Sequence, residues 1–138
     1  MDGYMGKALL VDLENGATES WDLPQEWYKD FLGGDGLGVR MFYEYMGSDR
    51  EPFAPETPII FATGPLNGTK APACGRLVVV FRSPATGTLG ISNVGGHFAP
   101  ALKKAGWDIL LVKGKAANPV WLNINDDQVT IEGASEIW

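Results

Sequence analysis

Two glycines directly ahead of a predicted helix are the residues of this sequence best suited to binding chemistry. A strand is predicted over Thr86–Ser92, Asn93 follows it, and Gly95 and Gly96 come next. A helix is predicted over His97–Ala105. A glycine turn at a helix start can present several free backbone N–H groups to an anion. The spacing therefore predicts a site for phosphate, including the phosphate tail of an organic cofactor.

Three side chains in the glycine-rich centre of the sequence could carry chemistry, and each also has a purely structural interpretation. Arg76 starts a predicted strand, and its guanidinium offers a planar fork of donors to phosphate or to the edge of a heterocycle. A lone arginine at a strand start is more often a surface charge. Cys74 also fits a small buried residue. His97, the single histidine, has no adjacent nucleophile and no second histidine for a metal, which favours a packing or supporting role.

The other polar and glycine-rich segments provide no complete catalytic apparatus. The carboxylates are scattered over turns and helix ends, without a pair at a spacing useful for acid–base chemistry. Gly33–Gly38 superficially resembles a dinucleotide fingerprint, but it follows a predicted helix instead of a strand. Asp35 within it is expected to cap the second helix. Thr63–Gly68 is a further glycine-rich turn. The residues alone predict an anion- or cofactor-binding domain.

Composition limits the class of protein. A length of 138 residues predicts a single domain over residues 1–138, and an apolar share of 45% is that of a soluble globular protein. The net charge of −6 argues against nucleic acid as a partner. No apolar run is long enough for a bilayer, so no membrane partner is expected. The single cysteine fits a reducing cytoplasm and cannot hold an iron–sulfur cluster.

About eight strands and three helices are predicted from periodicity and turn residues. The strands are Lys7–Leu13, Thr18–Leu23, Pro58–Ala62, Arg76–Phe81, Thr86–Ser92, Trp107–Val112, Val120–Ile124 and Gln128–Glu132, and the helices are Pro24–Leu32, Gly36–Met46 and His97–Ala105. A loop is expected over Gly47–Thr57, and Gly33 is expected to stop the first helix. Apolar and polar residues show little strict alternation along the predicted strands, which indicates that several strands are covered on both faces. The predicted class is α+β with mixed β-sheets.

Four blocks of this sequence resemble the N-terminal domain of the aldehyde ferredoxin oxidoreductase family. The blocks are GKALLVDLENG, FLGGDGLGVRMFYE, PIIFATGPLNGTKAPACGRLVVVFRSPATGTLGISNVGGHFAPALKKAGWDILLVKGKA and IEGASEIW. They cover nearly the whole chain in order, and the long central block is specific. The resemblance therefore adds a fold, a cofactor and a reaction to the anion site described above.

Members of that family carry tungsten, or in some cases molybdenum, on two pterin dithiolenes beside an iron–sulfur cluster. They oxidise aldehydes to carboxylic acids and pass the electrons to ferredoxin. The resemblance implies that this domain is a platform under the pterin pair, with Arg76 next to the cofactor. It further implies that Asn93, Val94, Gly95 and Gly96 form the turn at the pterin phosphates. Asn93 would lie at a magnesium ion that bridges the two phosphates.

The cysteines that hold the cluster lie in later domains of family members, and this chain lacks those domains. We therefore expect residues 1–138 to be a truncated platform domain that contributes one face of the cofactor pocket and is inactive alone. The expected partners are the remaining domains of the same polypeptide, ferredoxin, an aldehyde and, as an open alternative, a second copy of the chain. Asp35 and Cys74 differ from the residue types common in relatives, which leaves the substrate open. The alternative is a stand-alone binding or scaffold domain without catalysis.

Overall fold

The computed structural model describes residues 3–46 and 51–138, which form eight strands and three helices. In chain order the elements are β1 (Lys7–Asp12), β2 (Ala17–Asp22), α1 (Gln25–Phe31), α2 (Asp35–Tyr45), β3 (Ile59–Ala62), β4 (Leu77–Arg82), β5 (Leu89–Val94), α3 (Phe98–Lys104), β6 (Ile109–Lys113), β7 (Val120–Asn125) and β8 (Gln128–Gly133). The predicted α+β class is confirmed. Part of the loop predicted over Gly47–Thr57 lies outside the described residues. Among the helices of the described part, none has the length and apolarity needed to cross a bilayer.

Six of these strands form one mixed sheet in the order β2-β1-β6-β3-β4-β5. Only β1 and β6 run parallel, and every other neighbouring pair is antiparallel. The strands β7 and β8 form a separate antiparallel hairpin. Because of these directions, the C-terminal ends of β3 and β5 lie at the same end of the sheet as the N-terminal ends of β1, β4 and β6. The loops at that end of the sheet are therefore neighbours in space although they are distant in sequence.

The two faces of the sheet bury different cores. On one face, α1 and α2 pack against alternate residues of the strands, including Ala8, Leu10, Ile60, Val80 and Leu111. On the opposite face, α3 and the β7–β8 hairpin cover the intervening residues Leu9, Val11 and Leu110. The central strands β1 and β6 are thus buried on both sides, which explains their nearly continuous apolar sequences. The expectation that several strands are covered on both faces is confirmed for these two.

The strand β5 is shifted along the sequence relative to the prediction. It was expected over Thr86–Ser92 and is observed over Leu89–Val94. The preceding turn is longer than its Ser-Pro signal suggests, because the Ser83 N–H donates to the Thr88 carbonyl at 2.8 Å. The Gly87 N–H also donates to the Ser83 carbonyl at 2.8 Å. These two hydrogen bonds extend the turn as far as Thr88, so the ladder between β4 and β5 starts only after Thr88.

The connection between α1 and α2 differs from the sequence expectation at both helix ends. The helix α1 ends at Phe31, one residue before the predicted end, and Leu32 is its C-cap residue, with a φ of 62°. Gly33 lies directly after this cap, as expected. The Gly33 N–H donates to the Phe31 carbonyl at 2.7 Å, which closes a γ-turn around Leu32. Gly34 is the N-cap of α2, and no side chain caps that helix. Asp35 is therefore not a cap but the first residue of α2, where its negative charge is favourable beside the helix N-terminus.

Candidate functional site

Three loops meet at one end of the six-stranded sheet. We call this region the glycine end, formed by residues 32–34 between α1 and α2, 63–76 between β3 and β4, and 95–97 between β5 and α3. The Gly34 N–H donates to the Thr63 carbonyl at 3.0 Å. A Cβ atom added to Gly33 would lie 2.9 Å from Pro65 Cδ. The first two loops are therefore packed at a distance that leaves no room for a side chain at Gly33.

The second and third loops approach each other equally closely. A Cβ atom added to Gly75 would lie 2.6 Å from the carbonyl oxygen of Gly96. Leu77 pairs with Val94 in the ladder between β4 and β5, so Arg76 comes next to Gly95 in the same register. The structure thus brings Arg76 and the glycine pair to one place, although the sequence separates them by about twenty residues.

The surface around this contact is open. Arg76 and every residue from Ile91 to Phe98 are exposed. A Cβ atom added to Gly95 or Gly96 would meet no other atom within 4 Å. Within residues 3–46 and 51–138, the N–H groups of Gly95, Gly96 and His97 donate no hydrogen bond to the protein. An anion placed here would find unpartnered backbone donors and a guanidinium beside them.

Two residues predicted for the turn lie in the strand instead. Asn93 pairs with Val78, and Val94 pairs with Leu77, as the last two residues of β5. Directly paired residues share a face, so Asn93 lies on the face that α2 covers and Val94 on the opposite face. The prediction of a turn through Asn93 and Val94 is therefore wrong. Both residues are held in the ladder by their pairing with β4, so the turn begins at Gly95.

The side chains that were candidates for metal or nucleophile chemistry do not assemble into a site. Cys74 is partly buried, and its thiol lies 3.5 Å from the Thr69 carbonyl oxygen. His97 is exposed at the N-cap of α3 and its side chain makes no capping hydrogen bond. In the described part of the chain, no group of three or more His, Cys, Asp or Glu side chains is placed to hold a metal ion. A metal ion on this surface would therefore depend on oxygen ligands other than a cluster of these side chains.

The sequence analysis missed a buried charged centre at the same end of the sheet. Asp108 is fully buried. Its Oδ2 atom accepts hydrogen bonds from the N–H groups of Met5 at 2.9 Å and Gly6 at 2.8 Å, and from the Tyr28 hydroxyl at 2.8 Å. Its Oδ1 atom forms a salt bridge with Lys103, which is also buried. One carboxylate therefore joins the start of β6 to the N-terminal segment, α1 and α3.

The Tyr28 hydroxyl remains a donor in this arrangement. Burial, together with the neighbouring Asp108 carboxylate, raises the pKa of Tyr28 well above its ordinary value. An acidic residue at the start of an otherwise apolar strand was the signal available in the sequence. Its partners lie up to 103 residues away, however, so their identity could not be read from local spacing.

A second buried polar residue, Asn67, also escaped the sequence analysis. Its Oδ1 atom accepts a hydrogen bond from the Gly64 N–H at 2.5 Å, and its Nδ2 group donates to the Cys74 carbonyl. Thr63, next to Gly64, is anchored on the Asp108 carbonyl by its N–H and by its hydroxyl, both at 2.9 Å. The long loop of the glycine end is therefore tied internally and to the start of β6.

This sequence and fold are similar to those of known oxidoreductases. The sequence model of the aldehyde ferredoxin oxidoreductase N-terminal domain matches residues 8–138. The tungsten-containing aldehyde ferredoxin oxidoreductases of Pyrococcus horikoshii and Pyrococcus abyssi are 45% and 44% identical over 138 residues, all of this chain. This chain spans 23% of the length of either relative.

A solved structure shares both the fold and the sequence. It is the BamBC active-site complex of benzoyl-coenzyme A reductase with 1,5-dienoyl-CoA, which superposes with a TM-score of 0.94 at 38% identity. The match covers 98% of this chain and 21% of that chain. Since the family's sequence model spans nearly all of the residues and the full-length similarity is high, this chain belongs to the aldehyde ferredoxin oxidoreductase family and corresponds to its N-terminal domain.

Proposed function

We propose that residues 1–138 form a single platform domain that provides one face of the bis-pterin cofactor pocket in a tungsten- or molybdenum-dependent oxidoreductase. That face is the part of the glycine end formed by Arg76 and the Gly95–Gly96 pair. The observation that carries the proposal is the exposed glycine pair Gly95–Gly96, with open space above it and Arg76 beside it. Family membership supplies the cofactor class, because the similar proteins are named as tungsten-containing enzymes.

The residues present fit a pterin phosphate. The unpartnered N–H groups of Gly95 and Gly96 would donate to the phosphate oxygens, and the Arg76 guanidinium would add charge-assisted bonds. A side chain at Gly95 would fill the space in which the phosphate must approach the backbone. Asn93 and Val94 would border the phosphates as the last residues of β5. The side-chain oxygen of Asn93 would be a suitable hard ligand for a magnesium ion at these phosphates.

When bound, the tungstopterin or molybdopterin supplies the redox chemistry of the metal. The residues of this domain would bind and orient it. The proposed reaction is the oxidation of an aldehyde to a carboxylic acid with ferredoxin as the electron acceptor. The structural relative is named for a coenzyme A ester instead of an aldehyde. We therefore assign the choice of substrate to regions outside this domain.

Other parts of the enzyme must complete the active site. Cys74 is the single cysteine of the sequence, whereas an iron–sulfur cluster needs about four thiolates. The proposed partners are thus the remaining domains of the same polypeptide, which carry the cluster, together with ferredoxin and, as an open alternative, a second copy of the chain. Residues 1–138 alone are expected to be inactive. The unpaired Cys74 thiol is compatible with a reducing cytoplasm.

The test is made in the full-length enzyme by replacing Arg76 or Gly95. Hydrogen bonds to a charged group contribute roughly 1.5–3 kcal/mol each. Arg76→Ala should therefore weaken cofactor retention by about 10- to 100-fold, while its effect on folding stays small because the side chain is exposed. Gly95→Val should act in the same direction by steric block. Metal and pterin content per folded protein, and the midpoint of thermal unfolding, are measured for each variant.

Lys70→Ala is the matched control, since Lys70 is an exposed cation in the same loop as Arg76. It should leave both measurements unchanged if position, and not positive charge in general, determines binding. An Arg76→Ala enzyme that folds normally and keeps its full metal and pterin content contradicts the proposed site. Loss of cofactor in step with loss of stability would mean that these residues serve only the turn.

A further inference from the structure

We infer that Asn67 is a positioning residue of the proposed cofactor site, which fixes the loop carrying Arg76 against the Gly95–Gly96 turn. The inference rests on the proposed function of that surface. It adds a residue whose side chain is buried. Its role is exerted through the backbone of residues 73–76.

Both ends of the Asn67 amide are used for holding backbone. Its Oδ1 atom accepts from the Gly64 N–H at 2.5 Å, within the turn that follows β3. Its Nδ2 group donates to the carbonyl of Cys74, seven residues further along the chain. Asn67 is only 6% exposed, so water competes little for these bonds. A single side chain thus clamps the start of the loop to its end.

The clamped carbonyl lies directly before the residues that make the site. Gly75 follows Cys74, and its backbone is packed so closely on the Gly96 carbonyl that an added Cβ atom would come within 2.6 Å. Arg76 is the next residue. A displacement of the Cys74 carbonyl would therefore move Arg76 relative to the glycine pair, with no change in either of those residues.

The backbone of this loop also holds a conformation that it would not adopt freely. Ala73 has a φ of 57°, in the left-handed region that L-residues other than glycine rarely occupy. Such a conformation persists only where the surroundings enforce it. The bond from Asn67 to the adjacent Cys74 carbonyl is placed to supply that restraint.

The other end of the clamp is fixed to the core. Gly64 follows Thr63, which is 1% exposed and donates two hydrogen bonds to the Asp108 carbonyl at the start of β6. Asn67 therefore transmits the position of the buried sheet to the Arg76 loop. A loop tied only to itself could shift as a unit, whereas this one cannot.

The competing explanation is that Asn67 only stabilises the local turn. The two explanations can be tested separately, because the Oδ1 atom serves the local turn and the Nδ2 group serves the loop that carries Arg76. The backbone turn is closed without the side chain, since the Asn67 N–H donates to the Gly64 carbonyl at 3.1 Å. Asn67→Asp keeps the Oδ1 acceptor for Gly64 but replaces the donor to Cys74 by a second oxygen. It removes the connection to the Arg76 loop while the local turn keeps its bonds.

The experiment compares Asn67→Asp with Thr69→Val in the full-length enzyme. The Thr69 hydroxyl donates to the Leu66 carbonyl at 2.8 Å and accepts from the Ala71 N–H at 3.1 Å, so it is a matched polar residue with local bonds only. Pterin and metal content per folded protein, and the rate of cofactor release well below the unfolding temperature, are measured. Asn67→Asp should release cofactor at least about tenfold faster, and Thr69→Val should not.

A second-site variant provides a readout that a general loss of stability would not give. Glycine adopts the φ of Ala73 without strain, so Ala73→Gly lowers the restraint that the loop requires. Combined with Asn67→Asp, it should restore slow cofactor release at least in part. The positioning role is overturned if the double variant still releases cofactor quickly and if its unfolding midpoint falls in parallel with its cofactor retention.

Two further outcomes separate this inference from the proposed function. If Arg76→Ala loses cofactor while Asn67→Asp keeps it, the site stands and the positioning role is wrong. If both variants keep it, the proposed site is wrong and the inference falls with it. Should Asn67→Asp fail to fold, Gly75→Ala tests the same spacing, because its Cβ atom would push against the Gly96 carbonyl. Full cofactor retention in a folded Gly75→Ala enzyme overturns the inference.

Discussion

Asp108 shows how one buried residue can join several segments of a small domain. Its carboxylate accepts hydrogen bonds from Met5, Gly6 and Tyr28 and is paired with Lys103. A buried charge is tolerated only when its hydrogen-bonding capacity is satisfied, and here four donors do so. The arrangement defines the end of the sheet at which the glycine loops meet. Loss of any donor should therefore be costly.

Lys103→Met is expected to lower the free energy of unfolding by about 3–5 kcal/mol, because it leaves a buried carboxylate without its cation. Its neighbour Lys104 is exposed on the same helix and is the matched control. Lys104→Met should change stability by less than about 0.5 kcal/mol. Urea unfolding of both variants measures the difference. Equal effects at the two positions would mean that the buried pair contributes little.

Asp12 gives the domain a defined response to acid. The Asn15 side chain donates to its carboxylate at 2.9 Å, with smaller contributions from the Asn15 and Glu14 N–H groups and from Lys113. These donors hold the pKa of Asp12 below its ordinary value of 3.8. A lowered folded-state pKa contributes stability that is complete above the unfolded-state pKa and is lost as pH falls through the folded-state pKa.

Stability is therefore expected to decline as pH falls from about 4, and Asp12→Asn should remove part of this decline. The free energy of unfolding, measured in urea between about pH 2 and pH 6, follows the effect. The variant and the wild type should differ most at the upper end of this range. Parallel curves with a constant offset would show that the titration of Asp12 is not linked to folding.

Secondary structure was predicted well where the sequence carries the pattern locally. The apolar runs of β1 and β6 and the hairpin of β7 and β8 were all located within one or two residues. The errors lie where a backbone hydrogen bond decided the boundary, as at the long turn before β5 and at Leu32 after α1. The strand order, with β6 between β1 and β3, depends on contacts distant in sequence. No local periodicity encodes it.

The candidate site was predictable to a similar extent. The glycine pair and Arg76 were singled out by residue type, and the structure brings them together. The resemblance to the family assigned Asn93 and Val94 to the turn, whereas they are the last two residues of β5. Asn67 was missed because an amide in a glycine-rich loop has many possible partners. Only the folded backbone shows that its donor reaches Cys74.

Close packing of α2 on the sheet depends on one helical glycine. A Cβ atom added to Gly38 would lie 2.9 Å from Val80 Cγ2 and 3.2 Å from the Ala62 Cβ atom. Glycine to alanine in a helix normally gains up to about 1 kcal/mol. Here overpacking should reverse the sign and lower the free energy of unfolding by about 1–3 kcal/mol. Gly133→Ala is the control, since its added Cβ meets no atom within 4 Å.

Thermal or urea unfolding of the two glycine variants measures this effect. Gly133→Ala should be close to neutral. A Gly38→Ala protein as stable as the wild type would show that α2 can move away from β4 without cost. In that case the close contact would not be the feature that fixes the position of this helix.

The arrangement of exposed apolar residues suggests how residues 1–138 behave without the rest of an enzyme. The edge strand β5 contains no charged residue and is exposed over most of its length, with Ile91 at 44% and Val94 at 46% exposure. Phe98, the first residue of α3, is also exposed, at 47%. The opposite edge strand, β2, carries Glu19 and Asp22. Charged side chains protect an edge from pairing, so the two edges should differ in their tendency to associate.

Residues 1–138 in isolation are therefore expected to self-associate through β5 at moderate concentration, despite the net charge of −6. Ile91→Lys places a charge on that edge and should shift the protein towards monomer. Thr18→Lys adds the same residue type to the exposed β2 edge and should leave the association unchanged. Sedimentation equilibrium over a wide concentration range measures all three proteins. A wild-type domain that is monomeric throughout contradicts the expectation, and equal effects of the two lysines would assign the association to general charge instead of to β5.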